Sequence, residues 1–239
     1  MIDDLHLSSW RIVPIRSIQF LLLVTVFVIL TGLVHIGLIS SLNKELEKII
    51  SGLKLSELEL YVITIFESLG EIIYLIFASI ILTIIRRTRK AGMILMIIIV
   101  MIALIITYLK PLIGYEKPSG TVQLTFLPKG YNLERDSMLP SARNYSFPSN
   151  HTAVITAFSY VVGFSLLRHY GFSRYLIWLL PLAVAISQVL FLESYVTDVI
   201  GGFLLGITVS ILMSNIMHLD IPFSRNRFNT WHLKRHLSI

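Results

Sequence analysis

Six long apolar runs constrain the fold of this chain more than any other feature of its sequence. They occupy, approximately, residues 18–42, 60–85, 91–109, 151–167, 175–192 and 199–217. Hydrophobic residues make up 55% of the 239 residues and charged residues only 14%, which is more apolar surface than a soluble domain of this size can bury. About 20 apolar residues in a helix cross a bilayer. The runs therefore predict an all-α integral membrane protein, with six transmembrane helices in one domain over residues 1–239.

The distribution of basic residues predicts how this bundle is oriented. With six spans, the basic clusters at residues 86–90, 168–174 and 225–235 fall on the same side of the membrane. The positive-inside rule makes that side cytoplasmic. We therefore predict cytoplasmic termini and an outer loop over residues 110–150, with residues 43–59 forming an interfacial amphipathic loop. The net charge of +6 fits basic cytoplasmic loops and anionic lipid headgroups, so we expect a membrane-embedded chain without a nucleic-acid partner.

One polar segment, Phe147-Pro148-Ser149-Asn150-His151, lies where the outer loop ends and the fourth apolar run begins. Pro148 disfavours helix at Phe147, and Ser149 is a good N-cap. A helix start carries unpaired N–H groups that suit a phosphate, and His151 in its first turn could transfer a proton there. The alternative interpretation is a capped helix whose histidine only faces the membrane interface.

Two further polar segments accompany this one, at the ends of other apolar runs. Their residues are Lys110, Lys117 and Pro118 upstream, and Ser187, Gln188, Ser194 and Asp198 downstream. The ordered patterns K-x6-K-P, P-S-N-H and S-Q-x5-S-x3-D resemble the three-part signature of the type 2 phosphatidic acid phosphatases. These are the lipid-phosphatase relatives of the vanadium haloperoxidases, and their signature is K-x6-R-P, P-S-G-H and S-R-x5-H-x3-D.

The resemblance implies a six-helix bundle of the lipid-phosphatase type, with an outward-facing pocket for a phosphorylated or diphosphorylated membrane lipid. It implies that His151 protonates the leaving group and that Asp198 orients the nucleophile. The phosphate would be bound by the residues at the remaining signature positions, which are Lys110, Lys117, Ser149, Asn150 and Gln188. We expect no cofactor and no metal, since the chain has no cysteine and no metal-binding motif.

Three departures from the signature bear on catalysis. Lys117 and Gln188 replace arginines, and Ser194 stands where the family has its nucleophilic histidine. A serine without an adjacent base is a poor nucleophile. We therefore predict a pseudoenzyme that binds its lipid with reduced or lost phosphohistidine catalysis. The alternative is an active phosphatase of lipid phosphates or isoprenoid diphosphates that uses Ser194 or a water molecule, with His151 as the base.

Two carboxylates and two glycines within the apolar runs carry further predictions. Glu67 and Glu71 are four residues apart, so one helix would place both on the same face. Charges within a span suggest a function, and a small transporter or channel is a third hypothesis, against a structural ion pair as the simpler alternative. Gly202 and Gly206 predict close helix packing inside the bundle.

Overall fold

The computed structural model describes residues 12–119, 142–167 and 173–220 of the chain. Its helices are α1 (Ile18–His35), α2 (Ser40–Ser51), α3 (Glu57–Leu69), α4 (Ile72–Ile84), α5 (Arg89–Ile113), α6 (Asn150–Ser165), α7 (Ser173–Leu176), α8 (Leu179–Leu190) and α9 (Val196–Ile216). Within the described ranges, the β-structure is one isolated bridge between Glu116 and Tyr145. The predicted all-α fold is confirmed. Some features predicted from the sequence lie wholly or largely outside the described residues. They are the middle of the predicted outer loop and the basic clusters at 168–174 and 225–235.

Among the described residues, three helices are long and apolar enough to cross a membrane by themselves, namely α1, α5 and α9. The pair α3 and α4 adds a fourth candidate if it counts as one span, although its two helices are bent by 55°. Helix α6 has 16 residues, and the helical stretch Arg174–Leu190 is apolar but also short. The number of six spans therefore stays a prediction.

The predicted span 60–85 is divided at Gly70. The amide of Gly70 donates to the carbonyl of Glu67 at 2.8 Å, which closes the end of α3. A Cβ atom at Gly70 would lie 2.8 Å from Cγ1 of Val184 and 2.9 Å from Cβ of His151. Helices α6 and α8 thus approach the break so closely that a larger residue does not fit.

The segment 43–59, predicted as an interfacial loop, is largely helical, so that prediction is wrong. Helix α2 covers its first part because polar residues recur there at helical spacing. Helix α3 then begins after a capping box, in which the Ser56 amide donates to Glu59 at 2.8 Å. The remaining non-helical part is the short connection between α2 and α3.

Helices α6 and α9 cross at close range in the middle of the bundle. Nearly all of α6 is buried. A Cβ atom on Gly202 would lie 2.4 Å from the carbonyl oxygen of Ser149, and one on Gly206 would lie 2.3 Å from that of Ala153. The predicted close packing of these glycines inside the bundle is confirmed, and it sets the start of α6 against the first turns of α9.

Candidate functional site

Ser149 begins helix α6 as predicted. Its side chain accepts a hydrogen bond from the amide of Thr152 at 3.4 Å, so the N-cap is confirmed. Its own amide donates to the carbonyl oxygen of Asp198 at 3.0 Å. Ser149, Asn150 and His151 are all buried. The second motif is therefore tied by its backbone to the last residue of the third motif.

Asp198 lies in the first turn of α9 and is fully buried. Its Oδ2 accepts a hydrogen bond from the amide of Tyr195 at 2.7 Å, which caps the helix and places a negative charge at its N-terminus. The Lys110 ammonium and the hydroxyl groups of Ser146 and Thr197 interact with the same carboxylate. Asp198 is thus the point at which the three motifs meet.

Lys110 belongs to a helix rather than to the predicted outer loop. Helix α5 continues through Pro111 to Ile113, so Lys110 lies in its last turn and is 6% exposed. A cation in the last turn of a helix interacts favourably with the helix dipole. The helix end therefore holds the Lys110 ammonium inside the bundle, close to Asp198.

The third motif forms a hydrogen-bonded chain at the end of α8. The Ser194 hydroxyl donates to Oε1 of Gln188 at 3.2 Å. Nε2 of Gln188 in turn lies 3.2 Å from Oε1 of Glu67 and 3.4 Å from Oε2 of Glu193. A serine hydroxyl has one proton to donate. In this arrangement that proton is given to a neutral amide oxygen, which is not a base.

Glu67 is a member of the site that the signature does not contain. It is completely buried in the last turn of α3. The sequence signal for Glu67 was its charge within an apolar run. The prediction that Glu67 and Glu71 share one helical face is wrong. Helix α3 ends at Leu69, and Glu71 lies beyond the break as the N-cap of α4.

His151 packs beside the same break. Its Cβ and Cδ2 atoms would lie 2.9 and 3.0 Å from a Cβ atom at Gly70. Val184, one helical turn before Gln188 on α8, meets the same point. The hydrogen-bonded chain from Ser194 through Gln188 to Glu67 therefore lies where α3 meets α8. His151 packs beside the same contact.

Lys117 is the predicted site residue that lines a separate cavity. Its amide donates to the carbonyl oxygen of Asn144 at 3.3 Å, and its side chain is half-buried. That cavity lies between α2, the segment following α5 and the start of α9. Ser149, His151, Gln188 and Ser194 do not line it.

An apolar groove of about 690 Å³ begins beside the second motif. It runs between α8 and α9, with Thr152 among its lining residues. The rings of Trp178 and Phe203, which also line it, meet edge to face with centroids 6.0 Å apart. The groove has the dimensions and the surface to hold a hydrocarbon chain.

An all-helical bundle with apolar spans and three polar motifs meeting at helix ends defines an integral membrane protein with a lipid-phosphatase-like fold. The model of the PAP2 superfamily matches residues 91–221, which contain all three motifs. The chain belongs to the PAP2 superfamily, and the resemblance noted in its motifs is confirmed.

The fold is similar to a solved structure described as the first transmembrane PAP2 type phosphatidylglycerolphosphate phosphatase, from Bacillus subtilis. The TM-score is 0.68 at 22% sequence identity, and the match covers 87% of this chain and 100% of that chain. At this identity the likeness shows the fold alone. No match was found among the curated proteins.

Proposed function

We propose that the start of α6 forms a pocket for a phosphorylated or diphosphorylated membrane lipid, which this protein binds without phosphohistidine turnover. The lipid phosphate would contact the Lys110 ammonium, the Ser149 hydroxyl and the amides of the first turn of α6. The positive end of a helix dipole and a nearby ammonium are groups that suit a phosphate. The family signature also predicts contacts from Lys117, Asn150 and Gln188. Of these the proposal keeps Asn150, because Lys117 lines the separate cavity and the amide of Gln188 faces Glu67.

The hydrogen bond from Ser194 to Gln188 is the single observation that carries the loss of turnover. The serine proton is donated to an amide oxygen at 3.2 Å, so the hydroxyl is not activated by a base. Position 194 offers no imidazole for Asp198 to orient, and Oδ2 of Asp198 accepts a hydrogen bond from the Tyr195 amide. Neither group is arranged for attack on phosphorus.

The apolar groove supports a lipid rather than a soluble phosphate as the ligand. Thr152 lines the groove, and its Oγ1 atom lies 3.2 Å from Oγ of Ser149, the N-cap residue of α6. A lipid whose phosphate lies at Ser149 could place one hydrocarbon chain between α8 and α9. Burial of each methylene group there contributes roughly 0.8 kcal/mol.

The proposal includes the orientation and span count inferred from the sequence. In it, six helical segments cross the membrane, both termini are cytoplasmic and the site opens at the outer face. Helices α6 and α8 would then be short spans. The break between α3 and α4 would lie within the second span.

Two measurements on the purified full chain test this function. Phosphate release is assayed with phosphatidate, a lysolipid phosphate, an isoprenoid diphosphate and phosphatidylglycerol phosphate, with His151→Ala as the control for the inherited acid. Binding of the same lipids is measured for wild type and Lys110→Ala. We expect no release above the His151→Ala control, and affinity weakened about ten-fold or more by the loss of one charge-assisted contact.

Other results would replace the proposal. Release that disappears in Ser194→Ala would show an active phosphatase with serine chemistry. Release that survives in Ser194→Ala but not in His151→Ala would instead favour attack by water. Lipid affinity unchanged in Lys110→Ala would remove the phosphate pocket.

A further inference from the structure

The polar cavity lined by Lys117 has a volume of about 740 Å³ and lies at the same end of the bundle as the three motifs. One of its walls is formed by the polar stripe of α2, whose residues are Ser40, Lys44, Glu47, Lys48 and Ser51. The spacing of these residues places them on one helical face. The opposite wall is the segment after α5, including Lys117, and Tyr195 lies between the two. The polar face of α2 is therefore turned toward the protein.

The cavity has fixed walls, because α2 is docked by a buried amide. Nδ2 of Asn43 donates to Oγ1 of Thr197 at 2.7 Å and to Oη of Tyr115 at 2.9 Å. Asn43 itself is 1% exposed. These bonds hold α2 to the start of α9 and to the segment following α5.

Glu47 completes the docking with both of its carboxylate oxygens. Oε1 accepts the amide and the hydroxyl of Ser119 at 2.8 and 2.9 Å, and Oε2 accepts the Tyr195 hydroxyl at 3.3 Å. Burial and the Glu47 charge raise the pKa of Tyr195 above its usual value, so the phenol remains a donor. The Glu47 charge is thus satisfied by protein donors.

The charge that remains for a ligand is positive. Among the described residues, Lys44, Lys48 and Lys117 line the cavity with the carboxylates of Glu47 and Glu116, so the lysines outnumber the carboxylates by one. Serine and tyrosine hydroxyls stand among the lysines and can pair with hydroxyl groups of a ligand. The lining therefore suits a group that is both anionic and hydroxylated.

The surface beside the cavity is apolar. Leu42, Ile49 and Leu53, which belong to α2 or directly follow it, are each more than half exposed. An amphipathic helix of this kind lies at a membrane interface with its apolar side toward the acyl chains. A lipid headgroup could therefore reach the lysines while its chains stay in the bilayer.

We propose that this cavity binds the anionic, hydroxyl-bearing headgroup of a membrane phospholipid, at a site separate from the pocket at the start of α6. The inference goes beyond the proposed function, because it needs neither turnover nor phosphate binding at Ser149. Lys44 and Lys48 supply the attraction for the headgroup, and the docking of α2 fixes their position.

The test titrates the detergent-solubilised full chain with short-chain phosphatidylglycerol and, as a zwitterionic control, short-chain phosphatidylcholine. The variant is Lys44→Gln with Lys48→Gln, and thermophoresis reports the affinity. Loss of two exposed charge contacts should weaken phosphatidylglycerol binding about ten-fold. The matched control is Lys54→Gln, which removes an equally exposed lysine beyond the end of α2 and should leave the affinity within about two-fold.

Three results would overturn the proposal. The first is equal affinity for phosphatidylglycerol in the double variant and the wild type. The second is a loss of affinity in Lys54→Gln as large as that in the double variant. The third is an equally large loss in His151→Ala, which would show that the cavity and the α6 pocket are one site. Thermal unfolding of the double variant verifies that it remains folded, as expected for exposed side chains. Competition by free glycerol phosphate would support recognition of the headgroup alone, whereas absence of competition would support a lipid held also by its chains.

Discussion

Nε2 of Gln188 lies 3.2 Å from Oε1 of Glu67, which joins two residues that are 121 positions apart in the chain. In the family signature, the position of Gln188 belongs to an arginine. The buried carboxylate of Glu67 thus lies beside the position at which the signature has a phosphate-binding arginine. Like charges at short range repel, so Glu67 disfavours a phosphate close to Gln188. The neighbourhood of Lys110 and Ser149 is left as the better place for the anion.

The break at Gly70 should not tolerate a side chain. In Gly70→Ala the new methyl group meets Val184 and His151 at 2.8 and 2.9 Å. Overpacking of this kind costs typically about 1–3 kcal/mol, so we expect a lower melting temperature in detergent and weaker lipid-phosphate binding through the displaced His151. Gly32→Ala is the control, since a Cβ atom at Gly32 meets nothing within 4 Å. Equal melting temperatures in the two variants would contradict the packing.

Much of the site framework could be predicted because it depends on local chemistry. Ser149 as an N-cap follows from its place after Pro148 and before an apolar run. The fit of Gly202 against the start of α6 follows from the small side chains on α9. Both features are determined within a few residues of sequence.

The features that the sequence did not predict depend on residues far apart in the chain. The break at Gly70 lies within the predicted span 60–85. Val184 and His151 approach it from two other helices, so residues far from Gly70 in the sequence leave no room there for a side chain. The partnership of Glu67 with Gln188 arises from the same approach. Helix α2 is different, because its polar residues recur at helical spacing, so the error there was to assign a loop to a charged amphipathic segment.

The docking of α2 should depend on Asn43. Asn43→Leu removes two hydrogen bonds and leaves Tyr115 and Thr197 without this donor, at a cost of about 1–3 kcal/mol for a buried polar group. We therefore expect the amides of α2 to exchange with deuterium about ten-fold faster or more. Glu45→Gln, on the exposed side of α2, is the control and should exchange as wild type does. Slow exchange in Asn43→Leu would show that other contacts hold α2.

The orientation can be tested at the two ends of α5. This helix has 25 residues and spans about 37 Å at 1.5 Å per residue, so its ends should lie on opposite sides of a membrane. The chain has no native cysteine, so Glu116→Cys and Arg87→Cys each create a single labelling position. In intact cells, an impermeant maleimide should label the first variant and reach the second only after permeabilisation. The reverse pattern would place the site on the cytoplasmic face.

Restoring the family signature should rebuild a phosphatase only in part. The triple variant Ser194→His, Gln188→Arg and Lys117→Arg returns the nucleophile and both guanidinium groups. The guanidinium introduced at position 188 would, however, lie beside Glu67 and pair with that carboxylate instead of the phosphate. We therefore expect the triple variant to release phosphate above the wild-type level, and more slowly than the same variant with Glu67→Gln added.

The size of that difference measures how strongly Glu67 competes with the phosphate. Freeing one charge-assisted contact of roughly 1.5–3 kcal/mol should raise the rate of phosphate release about ten-fold or more. His151→Ala in the quadruple variant removes the proposed acid and should lower the rate about 10²-fold or more, which identifies the inherited reaction. Equal rates in the triple and quadruple variants would show that Glu67 does not compete with phosphate. If both remain inert while folded, the pocket has diverged beyond its three motifs, because restoring the reacting groups would then leave the phosphate misplaced.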